Sequence, residues 1–314
     1  MKTLQFAGYG PPEVLQLKEV PRPEPGTGEV LIEIRAAAVN PSDVKNVAGS
    51  FNAPLPRVPG RDFAGVVVAG AAPVGLEVWG SGPGFGVARD GAHREFVVMP
   101  VEWISEKPTA LSMEQAASIG VPYLTAWSAL VQTGGLEPGE TVLVVGSTGA
   151  VGRAATQIAH WKGARVIGGC RNTSGTTEAD AAVDITRDDL REQVLALTDG
   201  RGADLVLDAV GAHMFEPALR CLRPEGRQVA ITSSLERRVS FDLIDFYRNR
   251  SRLLGVNTMT LSGPGTAAML DALRDGFDDG HLRPPELATW PFERAVEAYA
   301  AVKQGARAKQ VLLP

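Results

Sequence analysis

Three glycines spaced three residues apart, Gly146, Gly149 and Gly152, have the spacing in this chain that most directly suggests chemistry. They lie between the apolar run TVLVV and an amphipathic segment. Glycines at such a turn allow a tight bend, a close backbone approach to a pyrophosphate and close packing of helix on strand. The N-terminus of the following helix offers N–H groups and partial positive charge to phosphate oxygens. The pattern indicates a dinucleotide cradle, with a turn that binds no ligand as the alternative.

The turn departs from the usual G-x-G-x-x-G spacing. Ser147 takes the place of the first glycine, and Gly146 lies one residue earlier. Ser147 and Thr148 both carry hydroxyl groups that can donate to phosphate oxygens. We therefore predict that these two side chains contact phosphate.

The end of the next predicted strand indicates which nucleotide is bound. An acidic residue about 20 residues beyond the glycines would hold the ribose hydroxyls of NAD, whereas an arginine accommodates the 2′-phosphate of NADP. The chain reads GGCRN over residues 168–172, with no carboxylate and with Arg171. The sequence therefore favours NADP(H). The alternative for Arg171 is a solvated surface cation.

The elements around the turn alternate between strand and helix. Apolar runs of strand length are separated by segments with the 3.6-residue periodicity of amphipathic helices, which is typical of a parallel sheet covered on both faces. The predicted strands are 142–145, 165–169, 181–185, 204–210, 227–233 and 252–257, and the helices between them include 151–162 and 188–198.

Residues 1–110 have a different texture. Short apolar runs are broken by proline and glycine, and Val30, Ile32 and Ile34 alternate along one of them. This pattern predicts an irregular, mostly antiparallel β region.

Helices begin after this β region. Ser112 and Gln115 have the spacing of a capping box, and a helix follows that ends at Gly134. Residues 290–305 predict a further helix, followed by a short strand over 307–314. That strand either closes the parallel sheet or returns to the N-terminal region, and the sequence leaves both open.

The bulk properties exclude several classes of protein. The 314 residues suggest two domains, and the net charge of -5 without a basic stripe argues against nucleic-acid binding. Two cysteines, Cys170 and Cys221, are too few for a disulfide framework, and the four histidines are widely separated, so no metal site is predicted. No secretory leader and no apolar run of membrane-spanning length is found, so the expectation is a cytoplasmic protein with no membrane partner.

These motifs together resemble those of a known family. GPPEVLQLKEVPRPEPGTGEVLIEIRAAAVNPSD, PGRDFAGVV, GAHREFVVMP, LTAWSAL, the glycine turn, GADLVLDAVG, CLRPEGRQV and RAKQVLLP follow one another in the order seen in zinc-free medium-chain dehydrogenase/reductases of the quinone oxidoreductase, or ζ-crystallin-like, type. The resemblance implies an α/β protein with a GroES-like β domain (1–118 with 285–314) and a Rossmann doubly wound parallel-sheet domain (119–284). It also implies a homodimer, with the strand near 252–259 as a candidate for pairing between subunits.

Zinc-dependent relatives carry a cysteine near the first of these motifs and a G-H-E motif at the second. Here the corresponding stretches read Asn40-Pro41-Ser42-Asp43 and Gly60-Arg61-Asp62. The catalytic zinc of such relatives needs thiolate or imidazole ligands and an open position. The resemblance therefore implies a zinc-independent enzyme.

The resemblance also implies roles for individual residues. It places Asn40 and Thr125 near the nicotinamide, the turn from Gly146 to Gly152, with Ala150 and Val151, at the pyrophosphate, and Arg171 at the 2′-phosphate. The remaining predicted contacts lie at strand ends near the cofactor: Val210, Thr232, Ser233 and Lys309. Asp43 follows the N-P-x-D pattern and is expected to orient the loop of Asn40.

The implied reaction is hydride transfer from NADPH to a small electrophile, a quinone or an α,β-unsaturated carbonyl. The cofactor supplies the chemistry and the protein positions it. Asn40 and Tyr123 are the candidates for a hydrogen bond to the product oxyanion, and a packing aromatic at a helix start is the alternative for Tyr123. Two other functions stay open: an enoyl-thioester reductase of the same superfamily, and an NADPH-binding protein with a structural or sensing duty.

Overall fold

The computed structural model describes residues 1–82, 84–173, 178–187, 189–233 and 236–314. Its strands are β1 (Lys2–Gln5), β2 (Gln16–Glu19), β3 (Glu29–Ala38), β4 (Asp62–Gly70), β5 (Glu77–Ser81), β6 (Phe96–Pro100), β7 (Ser105–Glu106), β8 (Thr141–Val145), β9 (Arg165–Cys170), β10 (Ala181–Asp184), β11 (Ala203–Asp208), β12 (Leu222–Ala230), β13 (Arg252–Gly255), β14 (Leu287–Pro291) and β15 (Lys309–Leu313). Its α-helices are α1 (Pro41–Val47), α2 (Met113–Ala117), α3 (Gly120–Trp127), α4 (Ala150–Trp161), α5 (Leu190–Leu197), α6 (Phe215–Leu219), α7 (Leu243–Arg248), α8 (Gly263–Asp278) and α9 (Ala295–Lys303).

The chain divides into two compact units. The first contains Met1–Val121 and Met259–Pro314, and the second contains Pro122–Thr258. The domain bounds predicted from the sequence differ from this division mainly at residues 259–284. Those residues contain α8, whose Ser105–Asp271 hydrogen bond of 2.7 Å and edge-on Trp79–Phe277 ring pair hold it in the first unit.

The first unit is built on a largely antiparallel sheet. Its strands follow the order β14-β15-β3-β4-β5-β7, and β6 pairs with β3. Val30, Ile32 and Ile34 alternate into its core, as their spacing predicts. The last strand, β15, pairs antiparallel with β3, so the C-terminus returns to the N-terminal region.

The second unit is a six-stranded parallel sheet. The order β10-β9-β8-β11-β12-β13 is the doubly wound arrangement. From β8 the chain adds strands first on one side, to β10, and then on the other side, from β11 to β13, so the order of strand addition reverses between β8 and β11. Every residue of β8 is buried, as expected for a strand covered on both faces. The predicted α/β fold class is confirmed.

The strand ends differ from the predicted ones for a local reason. The predicted strand 204–210 ends at Asp208, whose carboxylate Oδ1 accepts from the N–H groups of Val210 (3.0 Å) and Gly211 (2.8 Å). These bonds turn the chain out of the sheet. Likewise β12 ends at Ala230, so Thr232 and Ser233 lie in the loop that follows it. Both shifts place predicted cofactor residues in loops at the carboxyl edge of the sheet.

Candidate functional site

The glycine turn connects β8 to α4, and two of its glycines are required by the fold. Gly146 has a φ of +86°, which L side chains rarely adopt. A Cβ on Gly152 would lie 2.2 Å from the carbonyl oxygen of Gly146, so only glycine lets α4 pack this closely on the turn. Gly149 is different. A Cβ there would meet only the Gly146 carbonyl oxygen, at 3.4 Å, which is an ordinary contact.

Ser147 is tied into the sheet. Its N–H donates to the carbonyl oxygen of Gly169 at 3.1 Å, and its buried hydroxyl donates to the same oxygen at 3.3 Å. The Gly146 N–H also donates to that oxygen. A hydroxyl has one proton to donate. Ser147 thus fastens the turn to β9, and of the two predicted hydroxyl donors Thr148 is the one on the exposed rim.

The exposed rim of the turn is formed by Thr148, Gly149 and Ala150. Gly149 is the N-cap of α4, and the first N–H groups of a helix have no acceptor within it. The N–H of Gly149 itself donates to the carbonyl oxygen of Gly146 at 3.0 Å, so the cradle suited to an anion is formed by the N–H groups of Ala150 and Val151. Packing does not require a glycine at position 149, so we infer that the absence of a side chain there leaves room for a ligand. The residues therefore fit a dinucleotide pyrophosphate.

Two further loops meet the turn at the same edge. A Cβ on Gly146 would lie 3.1 Å from Cγ2 of Val210, and a Cβ on Gly211 would lie 2.5 Å from the carbonyl oxygen of Thr232. Thr232 and the adjoining Ser233 are exposed. The structure therefore brings Val210, Thr232 and Ser233 together with the glycine turn.

Arg171 follows β9 directly and is exposed. The second strand of a doubly wound sheet ends where the adenosine ribose lies in dinucleotide-binding folds. Arg171 thus occupies the position that its sequence spacing predicts, and its contact with a 2′-phosphate stays a prediction.

Tyr123 and Thr125 lie on α3 and both are buried. The Tyr123 hydroxyl donates to Oε1 of Gln157 at 2.9 Å, and burial raises the pKa of that hydroxyl well above its ordinary value. A phenol in this setting is a poor proton donor. The arrangement favours the packing role that the sequence left open for Tyr123.

In the first unit, Asn40 is the centre of a buried polar cluster. Its Nδ2 donates to Oδ2 of Asp62 at 2.8 Å, and its Oδ1 accepts from Nζ of Lys309. Its backbone N–H donates to Oδ2 of Asp43 at 2.7 Å, at the start of α1. Asn40, Asp43 and Asp62 are each at most 2% exposed. The cluster thus joins two of the predicted site residues, Asn40 and Lys309, which are 269 positions apart.

The cluster shifts the pKa values of its charged members. Burial raises the pKa of Asp43 to about 7, against the hydrogen bond from Asn40, and the neighbouring Asp62 raises it further. Burial lowers the pKa of Lys309, while the carboxylates of Asp62 and Asp43 oppose that shift. The pKa values of the Asp43 carboxyl and the Lys309 amine are therefore closer to neutral pH than usual. Such shifts are typical of functional sites.

A second buried polar group stands next to this cluster. The Nδ1 of His93 accepts from the Tyr299 hydroxyl at 2.8 Å, and its Nε2 lies 3.1 Å from the carbonyl oxygen of Ala38. Burial lowers the pKa of His93 to about 4, and Lys309 contributes in the same direction. A neutral imidazole that donates from Nε2 to Ala38 satisfies both contacts.

Known proteins similar to this chain identify its family. Residues 26–109 match the family model described as alcohol dehydrogenase GroES-like domain, and residues 150–273 match the one described as zinc-binding dehydrogenase. A zinc-type alcohol dehydrogenase-like protein of Schizosaccharomyces pombe is 36% identical over 90% of this chain and 87% of its own. A quinone oxidoreductase of Pseudomonas aeruginosa is 34% identical over 73% of this chain and 72% of its own. The chain belongs to the quinone oxidoreductase family of medium-chain dehydrogenase/reductases.

A solved structure agrees with this assignment. A mycobacterial protein crystallised with NADPH superposes with a TM-score of 0.86 at 27% identity, and the match covers 100% of each chain. The GroES-like and Rossmann domains that the resemblance implied are therefore confirmed. The protein is an oxidoreductase of this superfamily, and the family points to a nicotinamide cofactor.

The sequence did not identify every residue of the Asn40 cluster. In the sequence, Asp62 stands out only as part of the stretch that lacks a zinc ligand, and His93 is one of four widely separated histidines. One signal for Asp62 was available, since an aspartate at the start of the apolar run DFAGVVVAG is unusual in a buried strand. Nothing in the sequence pairs His93 with Tyr299, which is 206 positions away.

Two further features of the described residues concern metals and membranes. No group of three or more His, Cys, Asp and Glu side chains in that part of the chain is arranged to hold a metal ion. None of its helices is long and apolar enough to cross a membrane.

Proposed function

We propose that this protein is a zinc-independent, NADPH-dependent oxidoreductase that transfers hydride to a quinone or an α,β-unsaturated carbonyl acceptor. The observation that carries the proposal is the cradle at Gly149, which is open where the fold itself requires no glycine. Arg171 at the end of β9 supports NADPH over NADH, because the stretch GGCRN offers no carboxylate for the ribose of NAD. The NADPH complex of the mycobacterial relative supports the same choice.

In this proposal the chain's own residues bind and orient the cofactor. The N–H groups at the start of α4 and the Thr148 hydroxyl hold the pyrophosphate, and Arg171 pairs with the 2′-phosphate. Val210, Thr232 and Ser233 line the same edge of the sheet, and we assign Asn40, Lys309 and Thr125 to the nicotinamide end. When bound, NADPH supplies the hydride.

The product oxyanion is stabilised by a hydrogen bond rather than by a strong acid. Asn40 is the candidate donor, because its Nδ2 carries a second N–H besides the one used by Asp62. A reduced quinone needs little more, since its oxyanion is stable. Tyr123 is not assigned this role, because its hydroxyl donates to Gln157.

Independence from zinc is supported by the donor set at Asn40. Its Oδ1 already accepts from the Lys309 ammonium, so a divalent cation placed there would face a positive charge. Asn40 and Arg61 stand in the two stretches where zinc-dependent relatives carry a cysteine and a histidine. Their amide and guanidinium groups are poor zinc ligands compared with thiolate or imidazole. We expect activity to persist after dialysis against EDTA.

The deciding experiment is an NADPH-oxidation screen over quinones, enones and enoyl-thioesters. Rapid oxidation with quinones or enones supports the proposal, and a clear preference for enoyl-thioesters would replace it with the reductase alternative. Tight binding of NADPH without oxidation by any acceptor would contradict it in favour of a structural or sensing role. Loss of activity with EDTA, restored by zinc, would contradict metal independence.

We further propose that the protein is a cytoplasmic homodimer. In the described chain β13 is an edge strand of the parallel sheet, and α7 just before it exposes Leu243 (64%), Ile244 (50%) and Tyr247 (57%). Edge strands and exposed apolar side chains favour association. Size-exclusion chromatography with light scattering tests this, and replacement of Leu243 and Tyr247 by serine should give monomers.

A further inference from the structure

Asp62 is the most buried charged residue of the Asn40 cluster, at 0% exposure, and the proposed reaction gives it no role. We propose that Asp62 is a positioning residue that fixes the side-chain carboxamide of Asn40 in one orientation, acting together with Lys309. This inference rests on the proposed function, since it assumes that Asn40 faces the reacting groups.

The two ends of the Asn40 carboxamide meet opposite charges. The amide nitrogen donates to the Asp62 carboxylate at 2.8 Å, and the amide oxygen accepts from the Lys309 ammonium. A flipped amide would place its NH₂ against three ammonium donors and its oxygen against a carboxylate. Both contacts would then be repulsive, so only one orientation is stable.

Asp62 is itself held rigidly. Its Oδ2 also accepts from the N–H of Val121 at 2.8 Å, in the first turn of α3. A Cβ on Gly120 would lie 2.3 Å from its Oδ1, so the absence of a side chain at that position makes room for the carboxylate. The backbone of Asp62 pairs with β3 and β5, and its carboxylate is held by the first turn of α3, so it can orient its partner with little freedom of its own.

The burial of Asp62 is costly for a purely structural role. Its Oδ1 has no hydrogen-bond partner within the described residues, which leaves one oxygen of a buried carboxylate unsatisfied. Such groups are expensive to bury, and an apolar residue would serve packing better. The cost is understandable if the charge serves the site by opposing the effect of burial on Lys309.

Two carboxylates hold different parts of Asn40. Asp43 accepts from the backbone N–H and sets the start of α1, whereas Asp62 accepts from the side chain. Replacement of Asp62 should therefore affect the reaction without loosening the loop. The structure offers a matched control in Ser81, the cross-strand partner of Asp62 on β5, whose hydroxyl has no hydrogen-bond partner among the described residues.

The test compares Asp62→Asn with Ser81→Ala. An asparagine oxygen can accept from both Asn40 and Val121, so this variant keeps the geometry and removes the charge. We expect kcat to fall by between about tenfold and a hundredfold while KM for NADPH changes little. The alkaline limb of the pH profile should move to lower pH, because Lys309 loses a carboxylate that favours its protonated form. Ser81→Ala should leave kcat and the pH profile unchanged.

Two further measurements keep the proposal falsifiable. If Asp62→Asn does not fold, Lys309→Met removes the opposite contact and should give the same fall in kcat. The melting temperatures of Asn40→Ala, Asp62→Asn and the double variant test the contact without turnover, and strictly additive shifts would overturn it. An unchanged kcat and pH profile in a folded Asp62→Asn, with the wild type active, would overturn the positioning role.

Failure of the proposed function gives a different pattern. In that case none of the acceptors makes the wild type oxidise NADPH. The fluorescence of bound NADPH then becomes the deciding readout for Asp62. A changed emission in Asp62→Asn supports the orientation of Asn40 toward the nicotinamide, and an unchanged emission overturns it.

Discussion

The carbonyl oxygen of Gly146 would lie only 2.2 Å from a Cβ on Gly152, so the first turn of α4 rests directly on the glycine turn. The middle glycine, Gly149, makes no comparable contact. The three glycines of one motif therefore do different work. Two serve the fold, and we assign the third to the ligand.

Replacing Gly149 and Gly152 by alanine should separate these roles. Gly152→Ala forces the helix away from the turn, and we expect a loss of stability of about 1–3 kcal/mol. Gly149→Ala should keep the wild-type melting temperature and weaken NADPH binding, because its methyl group occupies the cradle. Thermal unfolding and fluorescence titration with NADPH measure the two effects. A Gly149→Ala variant that binds NADPH normally would remove the main support for the cradle.

Charge reversal at Arg171 should change the cofactor preference. Arg171→Glu places a carboxylate after β9, which repels a 2′-phosphate and suits ribose hydroxyls. We expect KM for NADPH to rise by about tenfold or more while KM for NADH is unchanged or lower. Arg201→Glu, an exposed change in the loop before β11, is the control and should affect neither. Equal affinity of the wild type for both cofactors would refute the role of Arg171.

Asp43 and His93 should give the stability of the protein opposite pH dependences. The pKa of Asp43 is raised from 3.8 to about 7, so its contribution is full below pH 3.8 and is lost as the pH rises through 7. The pKa of His93 is lowered from 6.5 to about 4, so its contribution is full above pH 6.5 and is lost as the pH falls through 4. Each slope is at most about 1.4 kcal/mol per pH unit, and between pH 4 and 6.5 the two oppose each other.

The variant Asp43→Asn removes one of these slopes and keeps an acceptor for the Asn40 N–H. Its free energy of unfolding should therefore rise with pH between 4 and 6.5 more steeply than that of the wild type. Urea unfolding at a series of pH values measures the difference. Parallel curves for the two proteins would show that Asp43 has an ordinary pKa.

Removing the Tyr299 hydroxyl should destabilise the first unit. In Tyr299→Phe the Nδ1 of His93 loses the hydroxyl that donates to it in a fully buried position, and we expect a loss of about 1–3 kcal/mol. Tyr9→Phe is the matched control. Its hydroxyl also donates, to the carbonyl oxygen of Ala53, but the residue is 43% exposed, so water can replace the bond. Equal losses in the two variants would contradict the importance of the buried pair.

Helices were predicted well where a single local pattern, such as helical periodicity or a capping box, marks them. The periodicity of residues 151–162 predicted α4, and the Ser112–Gln115 capping box is formed in the structure. The predicted strand ends at 210 and 233 were wrong, because an apolar run does not show where a side chain such as Asp208 turns the backbone out of the sheet. The end of a strand depends on hydrogen bonds that hydrophobicity does not encode.

The two parts of the candidate site differed in how far they could be predicted. The turn from Gly146 to Gly152 is contiguous, so spacing alone located it. The environment of Asn40 depends on Asp62 and Lys309, which are distant in sequence, and only the resemblance to a family named Lys309 in advance. Asp62 was missed because its significance lies in a hydrogen bond to a side chain 22 positions away.

The sequence by itself determined the parallel sheet, the glycine turn and the arginine that follows β9, since each depends on the order and spacing of neighbouring residues. Tertiary structure alone decided that Ser147 binds the sheet and not the rim, and that the last strand, β15, pairs with β3. It also decided which way the Asn40 carboxamide faces. These outcomes depend on which buried donor meets which acceptor, and that choice is made only when distant segments are packed together.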